Sequence, residues 1–362
     1  MFKYNQIVEA REFQVLIENS VHTVMEDQEY KLVSIDHLLS KTENNEPLTR
    51  EELIHLLSFP PDSPESFRIM GRAGMISREV VSCRAEIHGQ LALDLAPCVC
   101  GCKFCSFAQE NRIFSQETRI SPEDAVGYAM QFARQGVNAL YVMTTAQYPF
   151  GRFIEISQEI RNKLDPGVIM VANVPDQSLE RARRIKDAGY SGVYHALRMR
   201  EGQDTLIPPE KRKQSIRNFQ EAGLKVGTCV EPVGPEHSHE ELADAILFAG
   251  SIGPAFSGAA RRIMIPGTEM EKRGMISELR MAQIVAVTRL GTPRSVKGFC
   301  THEPCTLGAV AGANLFWAET GSNPRDVQEK TEKGRGLSPA ECRTIYSESE
   351  WKILNGPSVY FS

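Results

Sequence analysis

The pattern of apolar and polar positions divides the chain at about residue 84. Before this point the pattern is helical: Thr49 and Glu52 have the spacing of a capping box, and an apolar stripe at Leu53, Leu56 and Leu57 follows. After it, short apolar segments alternate with helical ones about every 25 residues, which is typical of a parallel sheet with helices between its strands. The number of these units favours an α/β fold of the TIM-type (β/α) barrel kind, full or nearly full, with a helical N-terminal extension.

The second part of the chain provides the predicted elements of that barrel. The strands are predicted at 85–95, 138–143, 168–172, 192–195, 224–230, 260–264, 294–298 and 314–317. Helices are predicted at 122–135, 153–164, 178–188, 209–222, 239–249 and 279–290, and from 307 onward. We therefore assign residues 1–83 to the extension and 84–362 to the barrel with its C-terminal segment. The active site of such a barrel lies in the loops after the carboxyl ends of the strands.

Composition and charge narrow the class of protein. A hydrophobic content of 41% is that of a folded chain, and 41 Lys and Arg against 46 Asp and Glu give a net charge of −5. This balance argues against a protein built mainly to bind nucleic acid or an acidic membrane. No segment approaches the ~18 consecutive apolar residues of a membrane span, and the charged N-terminus lacks the apolar run of a signal peptide. We expect a cytoplasmic protein that acts on neither nucleic acid nor membrane.

Four of the nine cysteines lie within residues 98–105, which in a cytosolic chain indicates metal or redox chemistry. Cys98, Cys102 and Cys105 have the spacing C-x3-C-x2-C directly after the first predicted strand. Three thiolates on one loop can hold three irons of a cubane and leave the fourth iron open for a substrate or cofactor. Cys100 is either a bystander or an unusual fourth thiolate. A zinc site is the alternative, although structural zinc normally joins two separated pairs and no second C-x2-C exists.

With this loop in its strand context, the chain resembles the radical S-adenosylmethionine (SAM) superfamily. From Asn173 to Trp351 the order of elements is similar to biotin synthase and its relatives HydE, methylornithine synthase and the HmdB proteins. The segments that carry this likeness are 188–189, 222–226, 311–314 and 336–339, and those closest to HmdB are 198–205 and 231–237. The resemblance implies a [4Fe-4S] cluster on the three cysteines of the motif. It also implies reductive cleavage of SAM to a 5′-deoxyadenosyl radical, which abstracts hydrogen from a substrate.

The resemblance further implies which residues contact SAM. Phe104 would lie against the adenine, and Thr144 and Thr145, at the end of the second predicted strand, would bind the amino group. Arg212 would pair with the SAM carboxylate, which a guanidinium can do in bidentate fashion. The remaining contacts, to the ribose, the methionine part and the adenine, would come from Arg198, Glu201, Val233 and Gly234.

Biotin synthase carries further cysteines and an arginine inside its barrel, where they hold a second, sulfur-donating cluster. The corresponding positions in this chain are Val142, Val171, Gly227 and Lys297. Since none of these is a cysteine or an arginine, we do not expect the resemblance to extend to biotin synthase activity itself.

Three other cysteines occur late in the chain, near the ends of predicted barrel strands. Cys229 lies in the strand 224–230, and Cys300 and Cys305 follow the strand 294–298, with His302 and Glu303 between them. They could hold an auxiliary iron–sulfur cluster, with the histidine as an alternative ligand, or they could be small buried hydrophobic residues. The candidates for substrate contact or for an auxiliary cluster are His195, Cys229, Glu231, Cys300, His302 and Cys305.

The sequence therefore predicts a radical SAM enzyme of the biotin synthase, HydE and HmdB type. We expect it to abstract hydrogen from a small polar molecule in cofactor biosynthesis or an anaerobic rearrangement, with reduced flavodoxin or ferredoxin as electron donor. One alternative is a sulfur-inserting synthase, similar to lipoyl synthase, with an auxiliary cluster on Cys229, Cys300 and Cys305. An alternative of another class is a non-catalytic iron–sulfur or zinc binding protein.

Overall fold

Three helices precede the barrel strands in the computed structural model, which describes residues 34–95, 97–114, 116–319 and 336–361. They are α1 (Ile35–Glu43), α2 (Arg50–Ser58) and α3 (Pro64–Val80). The predicted capping box of α2 is confirmed, because Thr49 and Glu52 each accept a hydrogen bond from the other's backbone N–H. The helical pattern expected for residues 1–33 lies outside the described residues. The chain divides into two compact units, 1–38 and 39–362; the predicted boundary between residues 83 and 84 stays a prediction.

The second unit contains the strands. In chain order they are β1 (Arg84–Ala92), β2 (Asp94–Leu95), β3 (Thr118–Arg119), β4 (Ala139–Met143), β5 (Ile169–Asn173), β6 (Gly192–Tyr194), β7 (Lys225–Gly227), β8 (Val230–Val233), β9 (Phe256–Arg261), β10 (Gly298–Cys300), β11 (Leu315–Ala318) and β12 (Lys352–Ile353). The main sheet has the order β7-β6-β5-β4-β1-β11-β10-β9-β8, with every neighbouring pair parallel. In addition, β12 pairs with β1, and β2 pairs with β3 in a short antiparallel ribbon.

The two ends of this strand order meet, because β7 and β8 are successive parts of one segment that is interrupted at Thr228 and Cys229. The backbone N–H of Ala255 donates to the carbonyl of Val226 at 2.8 Å, and that of Thr228 donates to the carbonyl of Phe256 at 3.1 Å. These bonds place β7 beside β9. With helices between the strands, the arrangement is the TIM-type barrel that the sequence predicts.

The helices that follow are α4 (Pro122–Arg134), α5 (Phe150–Lys163), α6 (Leu179–Asp187), α7 (Pro209–Glu221), α8 (His239–Ser251), α9 (Glu278–Leu290), α10 (Thr306–Val310) and α11 (Pro339–Glu348). None of the helices in the described part of the chain has the length and apolarity needed to cross a bilayer. The expected cytoplasmic location stays a prediction.

Three of the predicted strands differ from the observed ones. The strand expected at 260–264 begins earlier, as β9, and the one expected at 294–298 begins only at Gly298, as β10. The strand expected at 224–230 is split into β7 and β8. The physical reason is that strands of a parallel barrel are buried on both faces, so their apolar residues run together without the alternation that would mark their ends.

The C-terminal residues close the end of the barrel at which the strands begin. A Cβ at Gly192, the first residue of β6, would lie 2.4 Å from the Phe361 ring, and one at Gly298 would lie 2.8 Å from the Tyr360 ring. Both rings belong to the buried cluster that fills the barrel interior. Because that end is packed, a cavity can form only toward the carboxyl ends of the strands.

Candidate active site

A cavity of about 240 Å³ opens at the carboxyl ends of the barrel strands, where the active site of this fold is expected. One side is formed by residues 98–107, which we call the cysteine loop, and the rest comes from the segments that follow the strands. The predicted site residues that line the cavity are Cys98, Cys102, Phe104, Cys105, Thr144, Thr145, His195, Arg198, Arg212, Glu231 and His302.

Hydrogen bonds fold the cysteine loop back on itself. The backbone N–H of Cys98 donates to the carbonyl of Phe107 at 2.6 Å. The side-chain amide of Asn111 donates to the carbonyl of Cys105 at 2.8 Å and lies 3.4 Å from two further loop carbonyls. Gly101, with a φ of +56°, forms the left-handed turn between the cysteines. The loop thus carries its thiols on a short, locally fixed backbone.

The thiols of this loop fit the ligand set of an iron–sulfur cluster. All four line the cavity and are partly buried. A hydrogen bond from the Cys100 thiol lowers the pKa of Cys98 to about 6, which favours the thiolate that binds metal. Burial raises the pKa of Cys102 to about 11. Cys98, Cys102 and Cys105 would hold the cluster, and Cys100 lies beside them as a hydrogen-bond donor.

Arg212 joins two buried carboxylates and a histidine at the cavity, and we call these four residues the arginine network. Its guanidinium lies 3.3 Å from Asp176 Oδ1 and 3.2 Å from Glu201 Oε2, and His195 Nε2 lies 2.9 Å from Asp176 Oδ1. Burial, reinforced by the charge on Arg212, lowers the pKa of His195 to about 4, so its ring is neutral at pH 7. Burial alone would raise the pKa of Asp176, but the hydrogen bond with His195 and the charge on Arg212 lower it.

Three residues predicted to contact SAM are not on the cavity surface. Glu201 is held by the protein itself, since it accepts hydrogen bonds from the backbone N–H of Arg198 at 3.0 Å and from a threonine hydroxyl at 2.7 Å. Val233 and Gly234 follow one another at the end of β8, and the nearby Arg262 lines the cavity instead. The SAM contacts expected for these three residues therefore stay predictions.

The two threonines that follow β4 do line the cavity, and a buried aspartate fixes the second of them. Thr145 donates to Asp94 twice, from its backbone N–H at 2.8 Å and from its hydroxyl. The backbone N–H of Thr144 donates to the carbonyl of Asn173 at 3.1 Å. Burial raises the pKa of Asp94. These bonds join the ends of β4 and β5 to the segment that leads into the cysteine loop.

A buried group at the base of the cavity, which we call the floor cluster, contains Tyr194, Cys229, Glu231, Cys300 and His302. His302 Nδ1 lies 3.0 Å from Glu231 Oε2, and its Nε2 lies 3.1 Å from the Tyr194 hydroxyl. Burial alone would lower the pKa of His302, but the Glu231 carboxylate raises it to about 9. Burial alone would raise the pKa of Glu231, but the charge on His302 lowers it to about 2. The thiols of Cys229 and Cys300 lie 3.7 Å apart.

Cys305 lies outside the floor cluster, although the sequence groups it with Cys229 and Cys300. Its thiol accepts a hydrogen bond from the backbone N–H of Gly308 at 3.3 Å and caps α10. The separation follows from the position of β10, which ends at Cys300 rather than before it and carries this residue into the barrel interior.

Several polar residues of the cavity were not predicted from the sequence. Asn173 donates to Gln90 Oε1 at 3.1 Å, and Gln90 donates to Glu319 Oε1 at 2.7 Å, so a row of side chains joins β5, β1 and the residue after β11. Arg261 ends β9 and pairs with Glu303. The sequence feature that could identify such residues is a polar residue at the end of an apolar predicted strand. Arg261 did not show this feature, because the predicted strand continued past it to residue 264.

Comparison with known proteins agrees with this geometry. Residues 97–249, which include the cysteine loop and the arginine network, match the model of the Radical SAM superfamily. Biotin synthase from Anaplasma marginale (strain Florida) is 23% identical over 285 residues, which cover 73% of this chain and 87% of that protein. The predicted resemblance to the radical SAM superfamily is confirmed over these residues, and with it the prediction of an enzyme of that class.

Two solved structures are similar in fold. Methylornithine synthase (PylB) superposes with a TM-score of 0.74 at 15% identity, covering 88% of this chain and 97% of that one. The FeFe-hydrogenase maturase HydG from Carboxydothermus hydrogenoformans gives 0.72 at 18% identity, covering 94% and 84%. At these identities the likeness concerns the fold alone. The predicted likeness to biotin synthase and methylornithine synthase is confirmed, and that to HydE and HmdB stays a prediction.

Proposed function

We propose that this enzyme holds a [4Fe-4S] cluster on Cys98, Cys102 and Cys105, binds SAM in the adjoining cavity and abstracts hydrogen from a small polar molecule. The observation that carries the proposal is that all three thiols of the motif line one cavity together with Thr145 and Arg212. When bound and reduced, the cluster supplies the electron that cleaves SAM to methionine and a 5′-deoxyadenosyl radical.

The charges of the cavity suit the methionine part of SAM, which carries both an ammonium and a carboxylate. Arg198 and Arg212 offer guanidinium groups to the carboxylate, and Asp176 offers an acceptor to the ammonium. Asp176 and Glu201 align the Arg212 side chain, so little of its rotamer freedom remains to be lost on binding. Neutral His195 beside them adds a hydrogen-bonding group without a further charge.

SAM and a small substrate would share this one cavity. Apart from the groups assigned to SAM, that cavity presents Arg261, Arg262 and Glu319. Side chains of both signs favour a polar substrate that carries charge. A role in cofactor biosynthesis or an anaerobic rearrangement, with reduced flavodoxin or ferredoxin as electron donor, accords with such a substrate.

A sulfur-inserting reaction has less support. It would need a second cluster as sulfur donor, and Cys305 lies outside the floor cluster, which leaves two cysteines and one histidine there. The barrel positions that correspond to the second-cluster ligands of biotin synthase supply no thiol; they are Val142, Val171, Gly227 and Lys297.

The test is SAM cleavage by the full chain, purified and reconstituted with iron and sulfide without oxygen. Incubation with SAM and dithionite should yield 5′-deoxyadenosine, measured by chromatography. Cys98→Ala should lower the yield to that of the cluster-free protein, because one cluster ligand is lost. Cys83→Ser is the matched control, since Cys83 is exposed and outside the cavity, and it should retain the wild-type yield.

Two outcomes would contradict the proposal. One is a protein that contains about four irons per chain but neither binds nor cleaves SAM with any reductant. The other is a Cys98→Ala variant that still cleaves SAM. If dithionite supports cleavage, reduced flavodoxin and reduced ferredoxin should be compared next as protein donors, and deuterium transfer from candidate substrates into 5′-deoxyadenosine would identify the hydrogen that is abstracted.

A further inference from the structure

The floor cluster contains three metal-binding side chains that the proposed reaction does not use. Cys229 lies at the break between β7 and β8, Cys300 ends β10, and His302 follows it two residues later. Their ligand atoms all lie within 4.8 Å of one another. The two cysteines are 2% and 0% exposed. Chain segments that are distant in sequence thus place two thiols and an imidazole at one buried point.

The distance between the two thiols suits a single ion. A tetrahedral zinc site has Zn–S bonds of about 2.3 Å, which places two thiolates about 3.8 Å apart. The observed separation of Cys229 Sγ and Cys300 Sγ is 3.7 Å. Thiolates that bind different irons of a cluster lie farther apart than this, because each points at its own iron.

The histidine is oriented as a metal ligand normally is. Ligating histidines donate their second ring N–H to a carboxylate, which fixes the ring and raises its basicity. His302 Nδ1 makes this contact with Glu231 Oε2 at 3.0 Å, so Nε2 is the ligand atom. The Tyr194 hydroxyl lies 3.1 Å from Nε2, and both Tyr194 and His302 line the cavity. A fourth coordination position would therefore face the cavity side.

The charges balance when an ion is bound. A divalent cation binds cysteine as the thiolate, and two thiolates neutralise its charge. Glu231 keeps its hydrogen bond to His302 and the attraction of the nearby Arg198. Two thiolates buried at this depth would be costly without a cation between them.

We propose that Cys229, Cys300 and His302 bind one zinc-type divalent ion at the base of the cavity, with Glu231 orienting the histidine. Three protein ligands leave one coordination position open, which is the arrangement of a catalytic rather than a structural zinc site. The ligand such an ion takes is a hard or borderline donor atom of the substrate, such as a carboxylate or amine, and it would hold that group beside Tyr194. This site goes beyond SAM cleavage and does not depend on it.

The test uses the full chain with its loop cluster reconstituted, so that the loop cysteines are already occupied. Titration with Co²⁺ as a spectroscopic probe should show one equivalent with sulfur-to-cobalt charge transfer and the visible bands of a tetrahedral ion. Elemental analysis after addition of Zn²⁺ should give one zinc per chain. Cys229→Ser and Cys300→Ser should each abolish both signals. Cys342→Ser, which changes a buried cysteine outside the group, should leave them unchanged.

Replacement of the orienting carboxylate gives a graded test. Glu231→Gln should weaken zinc binding by about 10–100-fold while keeping the stoichiometry. His302→Gln keeps both thiols and should lose the tetrahedral cobalt spectrum. It therefore provides an alternative test of the site if the serine variants unfold.

Two results would overturn the proposal. If the wild-type protein gains no metal beyond the loop cluster, the two thiols are a packed pair only. If it gains additional iron and acid-labile sulfide that Cys229→Ser removes, the site holds an auxiliary cluster.

Discussion

The two groups of cysteines in this protein are positioned in different ways. The four of the cysteine loop lie within residues 98–105, are partly buried and are held by hydrogen bonds to loop carbonyls. Cys229 and Cys300 are 71 residues apart, fully buried and brought together by the barrel. Spacing along the sequence can therefore predict a site built on one loop. A site built by the barrel interior depends on strand position and register, which spacing does not reveal.

The barrel side and the loop side of the cavity should also differ in how much they contribute to the stability of the fold. The barrel side of the cavity contains buried charges and backbone packed against backbone, whereas the loop side rests on a few partly exposed contacts. We expect substitutions on the barrel side to lower the free energy of unfolding strongly. Matched substitutions in the cysteine loop should leave the fold intact and affect the chemistry instead.

The largest loss of stability is expected from Arg212→Ala. The change leaves the buried carboxylates of Asp176 and Glu201 without their guanidinium, and removing one partner of a buried ion pair costs about 3–5 kcal/mol. SAM affinity should fall as well. Chemical denaturation and SAM binding by calorimetry measure both effects. The neighbouring Lys213 pairs with Glu210 on the exposed face of α7, so Lys213→Ala should match the wild type in both. Equal losses for the two variants would show that the network does not support the barrel side.

Substitution of two glycines, Gly258 on the barrel side and Gly101 in the cysteine loop, allows a direct comparison of the two sides of the cavity. Gly258 in β9 has a φ of +147°, and a Cβ there would lie 2.1 Å from the backbone oxygen of Cys300, which cannot move aside. Gly258→Ala should lower the free energy of unfolding by about 3 kcal/mol, from backbone strain and overpacking. A Cβ at Gly101 would meet only the side chain of Leu206, which is 70% exposed and free to rotate away.

Gly101→Ala should therefore cost only about 1 kcal/mol, the price of a left-handed conformation for a residue with a Cβ. Denaturation curves of both variants give the comparison. The contrast between the two sides would be lost if Gly101→Ala were as destabilising as Gly258→Ala. Zinc binding should fail in the Gly258 variant alone, because only there is Cys300 displaced.

Much of the fold and the loop site could be predicted from the sequence, and the reasons are local. The helix that begins at Pro122 follows from its serine cap, and the cluster ligands follow from thiols spaced on one loop. The position of β10 could not be predicted, since its three residues are buried like those around them. For that reason Cys305 was grouped with Cys229 and Cys300. The contact of His302 with Glu231 joins the segment after β10 to β8, two strands away in the sheet, and has no signature in spacing.

The neutral histidine of the arginine network predicts an acid-side loss of stability. Because the folded-state pKa of His195 is lowered to about 4, the unfolded chain takes up a proton below about pH 6.5 that the folded chain does not. Stability should therefore fall as the pH drops from about 6.5 to 4, by about 3 kcal/mol in total for this group. His195→Gln should remove that part of the slope, and His37→Gln, at an exposed position, should not. Identical slopes for wild type and His195→Gln would refute the assignment.

The smallest change in stability is expected from Asn111→Ala in the cysteine loop. The loss of an amide that donates to the Cys105 carbonyl at 2.8 Å, with two longer contacts, should cost about 1 kcal/mol, because the freed carbonyls can turn to water. Its matched partner on the barrel side is Asn314→Ala. The Asn314 side chain accepts from the backbone N–H of Phe299 in β10 at 2.7 Å and donates to the carbonyl of Lys297 at 3.0 Å. Because Asn314 is fully buried, its loss should cost about 2–3 kcal/mol.

The two asparagine variants should differ in which property is lost: cluster assembly in the loop variant and stability in the barrel variant. Asn111→Ala should lower the denaturation midpoint only slightly. It should assemble its cluster more slowly and expose the loop thiols to faster alkylation, because the carbonyls that fold the loop lose their common donor. Asn314→Ala should do the reverse: normal assembly at low temperature and a lowered denaturation midpoint. Alkylation rates by mass spectrometry and iron incorporation over time measure the loop, and denaturation measures the barrel. If Asn111→Ala altered only the denaturation midpoint, the loop would unfold together with the barrel core. The idea that loop contacts support cluster assembly while barrel contacts support stability would then be wrong.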